Sequence, residues 1–280
     1  MANKRKIKKT TFTSSLVDEF KNHKVTFAVY FVLRLIVIGF AVFSAVRGQW
    51  ENLFTCFLTL VLLLVPAFVS KSFKVNLPST LEVIVLLFVF AAQILGEIQC
   101  YYIKYPMWDT MLHTVNGFIF AAVGFALVDV LNQNEKIKFT LRPVYMAIVA
   151  FCFSMTVGVL WEFFEYFADC FLHTDMQKDR IVSHITSVML DPSNSNTPVT
   201  IDGITDVLVN GQYLGLGGYL DIGLHDTMKD LFVNFIGAVV FSIIGYIYVK
   251  NRGRKNTIAS MFIPTLKKGT DEAQEDTQQK

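Results

Sequence analysis

Six apolar runs, at approximately 25–46, 53–70, 81–98, 108–131, 143–170 and 226–249, constrain this 280-residue chain more than any other feature. A helix needs about 20 mostly apolar residues to cross the hydrocarbon of a bilayer. Inside it every main-chain N–H and C=O must find a partner within the protein, which leaves helices and closed barrels as the spanning structures. Runs of this length read as helices. Charged residues make up 17% of the chain, against about 25% in a soluble domain. The expected fold is all-α: a polytopic membrane protein of six transmembrane helices over residues 25–249, with one structured outer loop at about 171–225. Residues 1–24 form a basic cytoplasmic tail, and 250–280 a cytoplasmic, partly disordered tail. The first run is longer than the apolar region of a signal peptide, so it is read as a span rather than a cleaved leader.

Orientation follows from the basic residues. With the N-terminus inside, 19 of the 25 Lys and Arg fall in inner segments and 4 in outer ones, leaving Arg34 and Lys229 within spans. Inner loops carry such an excess, so both termini are expected in the cytoplasm. The membrane lipids are the first partners, with the N-terminal "MANKRKIKKT" suited to anionic headgroups. Because the basic residues sit at the ends of apolar runs, a nucleic-acid surface is excluded as the reading. Cys56 and Cys152 lie within runs and read as small core residues, while Cys100 and Cys170, near run ends, are the only candidates for a disulfide.

The polar residues inside the runs are patterned. Asp109, His113 and Asn116 share one helix face in the fourth run; so do Glu162, Glu165 and Asp169 in the fifth, and Asp226, Asp230 and Asn234 in the sixth. The third run adds Gln93 and Glu97. The fourth and sixth runs begin outside and the fifth ends there, so all three stripes lie in the outer leaflet. At a rise of about 1.5 Å per residue, Asn234 lies about 12 Å deeper than Asp226. Acids in hydrocarbon are costly and mark functional sites by default. Carboxylates this close repel unless protonated or bridged by a cation. Arg34 and Lys229 are candidate internal cations. A divalent metal is the other, with Asp109, His113, Glu162, Glu165, Asp226 and Asp230 as candidate ligands. An oxygen-rich set with one imidazole suits Mg or Mn, or Zn through His113. Glu162, Asp230 and His113 are the candidate catalytic residues.

In the loop, residues 175–190 have apolar residues at helical spacing and are expected to lie along the membrane surface as a helix. "DPSNSNTP" is turn chemistry, and Asn210-Gly211 between alternating runs predicts a hairpin. "GLGG" at 215–218 lacks the strand and helix of a phosphate loop and reads as a plain connection. His173 and His184 read as surface residues, His225 is set apart from them because it abuts Asp226, and Trp108 and Trp161 read as interfacial anchors.

"WDTMLH", "WEFFE" and "DTMKDLFVNFIGA", in this order on consecutive spans, resemble the YjdF-type family of bacterial inner-membrane proteins. More distantly, Asp109 and His113, Glu162 and Glu165, then Asp230, Asn234 and Gly237 resemble the pattern of VanZ-like proteins, though Thr110 stands where those carry Lys. The resemblance implies a multi-pass protein of the bacterial cytoplasmic membrane and no particular reaction; the VanZ likeness hints at work on the cell envelope. Three readings stand open: a metal-assisted enzyme acting on an envelope or lipid-linked substrate, a proton- or ion-coupled transporter, and a non-enzymatic envelope scaffold.

Overall fold

The computed structural model describes residues 24–72, 75–132, 141–251 and 258–266. Six helical segments are long and apolar enough to cross a membrane: Val25–Val46, Trp50–Ser72, Ser79–Ile98, Trp108–Asn132, Pro143–Leu172 and Leu224–Lys250. They match the six expected runs, the first with the same bounds and the other five extended by one to three residues at one or both ends. The basic N-terminal stretch and the end of the C-terminal tail lie outside the described residues.

Helix α1 (Lys24–Val46) is continuous. The second span breaks into α2 (Trp50–Leu62) and α3 (Val65–Ser72) just ahead of Pro66, which has no amide hydrogen to continue the ladder. The third begins as α4 (Ser79–Phe90) and widens into a π-helix over Ala91–Ile98. A short helix α5 (Tyr101–Lys104) leads into α6 (Trp108–Asn132). Helix α7 (Pro143–Leu172) starts on a proline whose fixed φ suits a first turn, and α8 is Leu224–Lys250.

Two apolar clusters organise these helices. Leu33, Val37, Cys56, Leu63, Leu86 and Ile94 join the first three spans. Phe125, Met146, Ala150 and Phe241 lie at the centre of the other, formed by α6, α7 and α8. This second trio packs closely through small residues, as membrane helices do. A Cβ on Gly117 would overlap the main-chain oxygen of Asn234, and one on Gly237 the oxygen of Thr114. Ser154 Oγ also donates to Gly117 O across α6 and α7, at 2.7 Å. Arg34 lies beside Tyr30, which packs against the first cluster. Its guanidinium lies 4.4 Å from the Tyr30 ring centre, and Glu82 is the carboxylate that shares Tyr30's surroundings with it.

The end of the bundle opposite the α7–α8 loop is closed by a device absent from the expectation. Strand β1 (Val75–Asn76) pairs antiparallel with β8 (Thr265–Leu266). Between α8 and β8, Ile263 is 1% exposed in the α6–α8 core, and the Phe262 ring lies 5.5 Å from that of Phe118. This stretch of the C-terminal tail is therefore folded into the bundle.

The loop between α7 and α8 is built of short strands: β2 (Ile181–Val182) with β7 (Tyr219–Leu220), β3 (Ile185–Ser187) with β4 (Val199–Ile201), and β5 (Leu208–Val209) with β6 (Gln212–Tyr213). The expected helix over 175–190 is corrected: the segment is extended, ending in one 3-10 turn at Val188–Leu190. The cause is competition for its amides. Asp169 takes the N–H groups of Met176 and Gln177, Asp226 that of Lys178, and Asp221 that of Arg180. Amides bonded to distant carboxylates are lost to a helical ladder. The Asn210-Gly211 hairpin is present, with both residues at positive φ (53° and 83°) as a type I′ turn requires. All four cysteines are free thiols; Cys56 is buried, whereas Cys152, read as a core residue, faces outward.

Candidate functional site

The three polar stripes meet at the loop end of α6, α7 and α8. His113 stands at the centre, its side chain 10% exposed. One ring nitrogen, Nε2, lies 3.5 Å from Asp109 Oδ1 and 3.9 Å from Asp230 Oδ2; the other, Nδ1, lies 3.8 Å from Glu162 Oε1. Two groups result, each with ligand-type atoms within 4.8 Å of one another: Asp109, His113 and Asp230, and His113, Glu162 and Glu165. The spacing of each stripe puts its members on one face, and the glycine contacts between α6 and α8 bring those faces together.

Lys229 Nζ enters from the side, 3.8 Å from Asp109 Oδ2, 3.8 Å from Asp226 Oδ1 and 3.6 Å from Asp230 Oδ1. Glu165 Oε1 accepts the indole N–H of Trp161 at 2.8 Å, so this tryptophan orients an acid as well as facing outward. Two carboxylate oxygens of the cluster are buried and make no hydrogen bond, Glu162 Oε2 and Asp230 Oδ1, the second of them with only the Lys229 ammonium nearby. Such atoms are uncommon in folded proteins, and here both point into the cluster.

The floor is amide. Asn116 Nδ2 donates to Asn234 Oδ1 at 3.3 Å, and Asn234 Nδ2 approaches Met155 Sδ at 3.6 Å. Below it come the aromatic rings of Phe118, Phe241 and Phe125. The roof comes from the loop: Gln177 Nε2 donates to Thr227 Oγ1 at 2.6 Å, and both residues sit beside Glu162. Asp109 and Lys229, at 22% and 24% side-chain exposure, form the open rim.

Of the six expected ligand positions, Asp109, His113, Glu162, Glu165 and Asp230 fall in these groups, while Asp226 stands at their edge, bound to Lys229 and to the Lys178 amide. Asp169 does not join them. It shares their helix face but lies in the last turn of α7, where it binds Thr174 Oγ1 and loop amides. His173, His184 and His225 are exposed. Arg34 stays with Tyr30 and Glu82, which leaves Lys229 as the cation at the acids among the described residues.

One neighbour escaped the sequence reading. Tyr102, in α5, is set against Gly96 of the π-helix, where a Cβ would overlap the tyrosine ring. Burial first, then the carboxylates of Glu97, Asp109, Glu165 and Asp230, push its hydroxyl above the usual tyrosine range. It remains a protonated donor beside the acids. A glycine six residues before a tyrosine, at the mouth of an acid-bearing span, is the signal that points to it; π-helical turns recur at functional sites.

No curated protein and no solved structure matches the chain. Residues 27–251 match a family of membrane proteins, the YjdF-type one, and the likeness to VanZ-like proteins finds no support in the comparisons. The match takes in all six spans, the loop and every residue of the cluster, and on it the chain belongs to the family described as predicted membrane protein (DUF2238).

Proposed function

We propose that the cluster is a metal-assisted catalytic centre in the outer leaflet of a bacterial cytoplasmic membrane, acting on an envelope or lipid-linked substrate. The observation that carries this reading is the convergence of five carboxylates and one imidazole from three helices, with Glu162 Oε2 buried and making no hydrogen bond. A single ammonium does not balance five carboxylates, and the donor set of oxygens plus one imidazole nitrogen fits Mg, Mn or Zn. A bound divalent cation would supply Lewis-acid polarisation of a phosphoryl or carbonyl oxygen. His113, Glu162 and Asp230 are the side chains placed to orient a substrate and hold its protons. The rim favours a substrate arriving along the membrane: Ile103 and Met107 beside Asp109 are 81% and 69% exposed. A coupled carrier is the weaker reading, because the cluster ends on the Asn116–Asn234 pair and aromatic rings follow it toward the other face.

Elemental analysis of detergent-purified protein tests the proposal. A stoichiometric divalent metal, lost in Glu162→Gln while the protein stays folded, is expected. A metal-free wild-type chain that is indifferent to Glu162→Gln would overturn it.

A further inference from the structure

The two halves of the cluster are unlike, and the difference is Lys229. Its ammonium sits 3.6–3.8 Å from Asp109, Asp226 and Asp230, so that half already encloses a fixed positive charge. The other half, His113 Nδ1 with Glu162 and Glu165, has no ion pair to a Lys or Arg among the described residues. It does contain Glu162 Oε2, unpartnered on a residue 4% exposed.

His113 sharpens the asymmetry. A neutral imidazole offers one lone pair; its other nitrogen carries hydrogen. Ligation through Nδ1 leaves Nε2–H facing Asp109 and Asp230, the carboxylate–imidazole–metal order in which the outer acid fixes the tautomer of the ligand. Ligation through Nε2 would instead bring a divalent ion up against the Lys229 ammonium.

Resting on the metal reading above, we propose that the protein binds one divalent cation, at His113, Glu162 and Glu165, and that Lys229 stands in for a second. Lys229 stands on the Nε2 side of the same imidazole, where a second ion would need Asp109, Asp226 and Asp230, and it supplies that half with a charge of one contributed by the chain. Asp109, Asp226 and Asp230 are in this view the lysine's cage and the orienting acids of His113, rather than ligands. The substrate class narrows accordingly: with a single ion and a lysine beside it, the site suits a reaction in which one oxygen anion develops at the metal.

Mn²⁺ binding to the full chain in detergent, counted by equilibrium dialysis and by electron paramagnetic resonance, decides the matter. The wild type should take up one Mn²⁺ per chain. Lys229→Met, which keeps length and apolar bulk but removes the charge, should take up two, with the spectrum broadened by spin coupling. Lys229→Arg should stay at one. Two ions in the wild type, or one in Lys229→Met, would overturn the inference and leave the metal reading standing; none in either removes both. Should Lys229→Met fail to fold, a second pair answers the same question. Asp230→Asn should keep the single ion and Glu162→Gln should lose it, and the reverse pattern would place the metal in the wrong half.

Discussion

The Asp226 carboxylate accepts the main-chain N–H of Lys178 at 2.9 Å, tying the first turn of α8 to a loop residue 48 positions earlier. The same side chain has its other oxygen 3.8 Å from Lys229. It therefore joins the loop to the cluster, and its removal should be felt in both.

Asp226→Ala should lower thermal stability in detergent by about 1–3 kcal/mol, the range for stranding a part-buried hydrogen-bond partner. Limited proteolysis within 171–225 should accelerate. Asp226→Asn keeps an acceptor oxygen and should restore most of the resistance. A loop equally resistant in Asp226→Ala would show that the bond carries no weight.

The helix crossing above the aromatic core gives a steric prediction. Gly117→Ala and Gly237→Ala each force a methyl into a main-chain oxygen of the facing helix. Separating α6 from α8 should cost about 1–3 kcal/mol or more. Gly39→Ala, which meets nothing within 4 Å, is the control and should be neutral or slightly stabilising. Thermal unfolding of the three variants side by side is the measurement.

The loop should respond to acid in one direction. Hydrogen bonds from Ser193 and Ser195 hold the Asp191 carboxyl well below the usual range. Partial burial raises that of Asp221, but the N–H groups of Arg180, His225 and Gly223 outweigh it and leave the group depressed. An acid depressed in the folded state contributes stability above its unfolded value of about 3.9 and loses it as pH falls toward the folded one. Hydrogen exchange over 191–199, corrected for intrinsic rate, should stay constant from neutral pH to about pH 5 and accelerate below about pH 4. Asp179 has the opposite sign: burial and then Asp175, Asp221 and Asp169 raise it, so Asp179→Asn should steady the loop at neutral pH.

Orientation is tested by reporters. One inserted near Ser193 should read external and one after Lys280 cytoplasmic, as the 19-to-4 distribution of basic residues requires. An external C-terminus would put the whole cluster on the wrong face of the membrane.

At the opposite end, Ile263→Ala should destabilise by about 2–5 kcal/mol, as buried Ile truncations do. Exposed Thr265→Ala should stay within about 0.5 kcal/mol. Equal melting temperatures for the two would mean that the tail contributes nothing to the core.

Much of the site was legible in the sequence because its residues obey helix geometry. Asp109 and His113, Glu162 and Glu165, and Asp226 and Asp230 are each three or four positions apart, and the charge distribution put the stripes at one level. Periodicity said nothing about which carboxylate a loop amide would claim. Asp169 has the spacing of a site residue and serves the loop instead, and the apolar period over 175–190 was overridden by carboxylates that bind its amides. Tyr102 packs its ring against Gly96, which leaves room for it beside the acids, and the apolar and polar periodicity of the spans does not mark that pair. Phe262 and Ile263 lie in an uncharged stretch, 256–266, too short to span and flanked by basic residues, which reads as tail rather than core.

The β1–β8 clasp joins residues about 190 positions apart. At roughly 5–20 residues per second of synthesis, Val75 waits some ten to forty seconds for Leu266 to be made. Every span has by then been translated. The first three can settle on their own apolar cluster in that interval, but the sixth must already lie beside the fourth and fifth before Ile263 has a place to go. The clasp is thus a record of completion: a chain stopped short of residue 263 has all six spans and still lacks the piece that closes them.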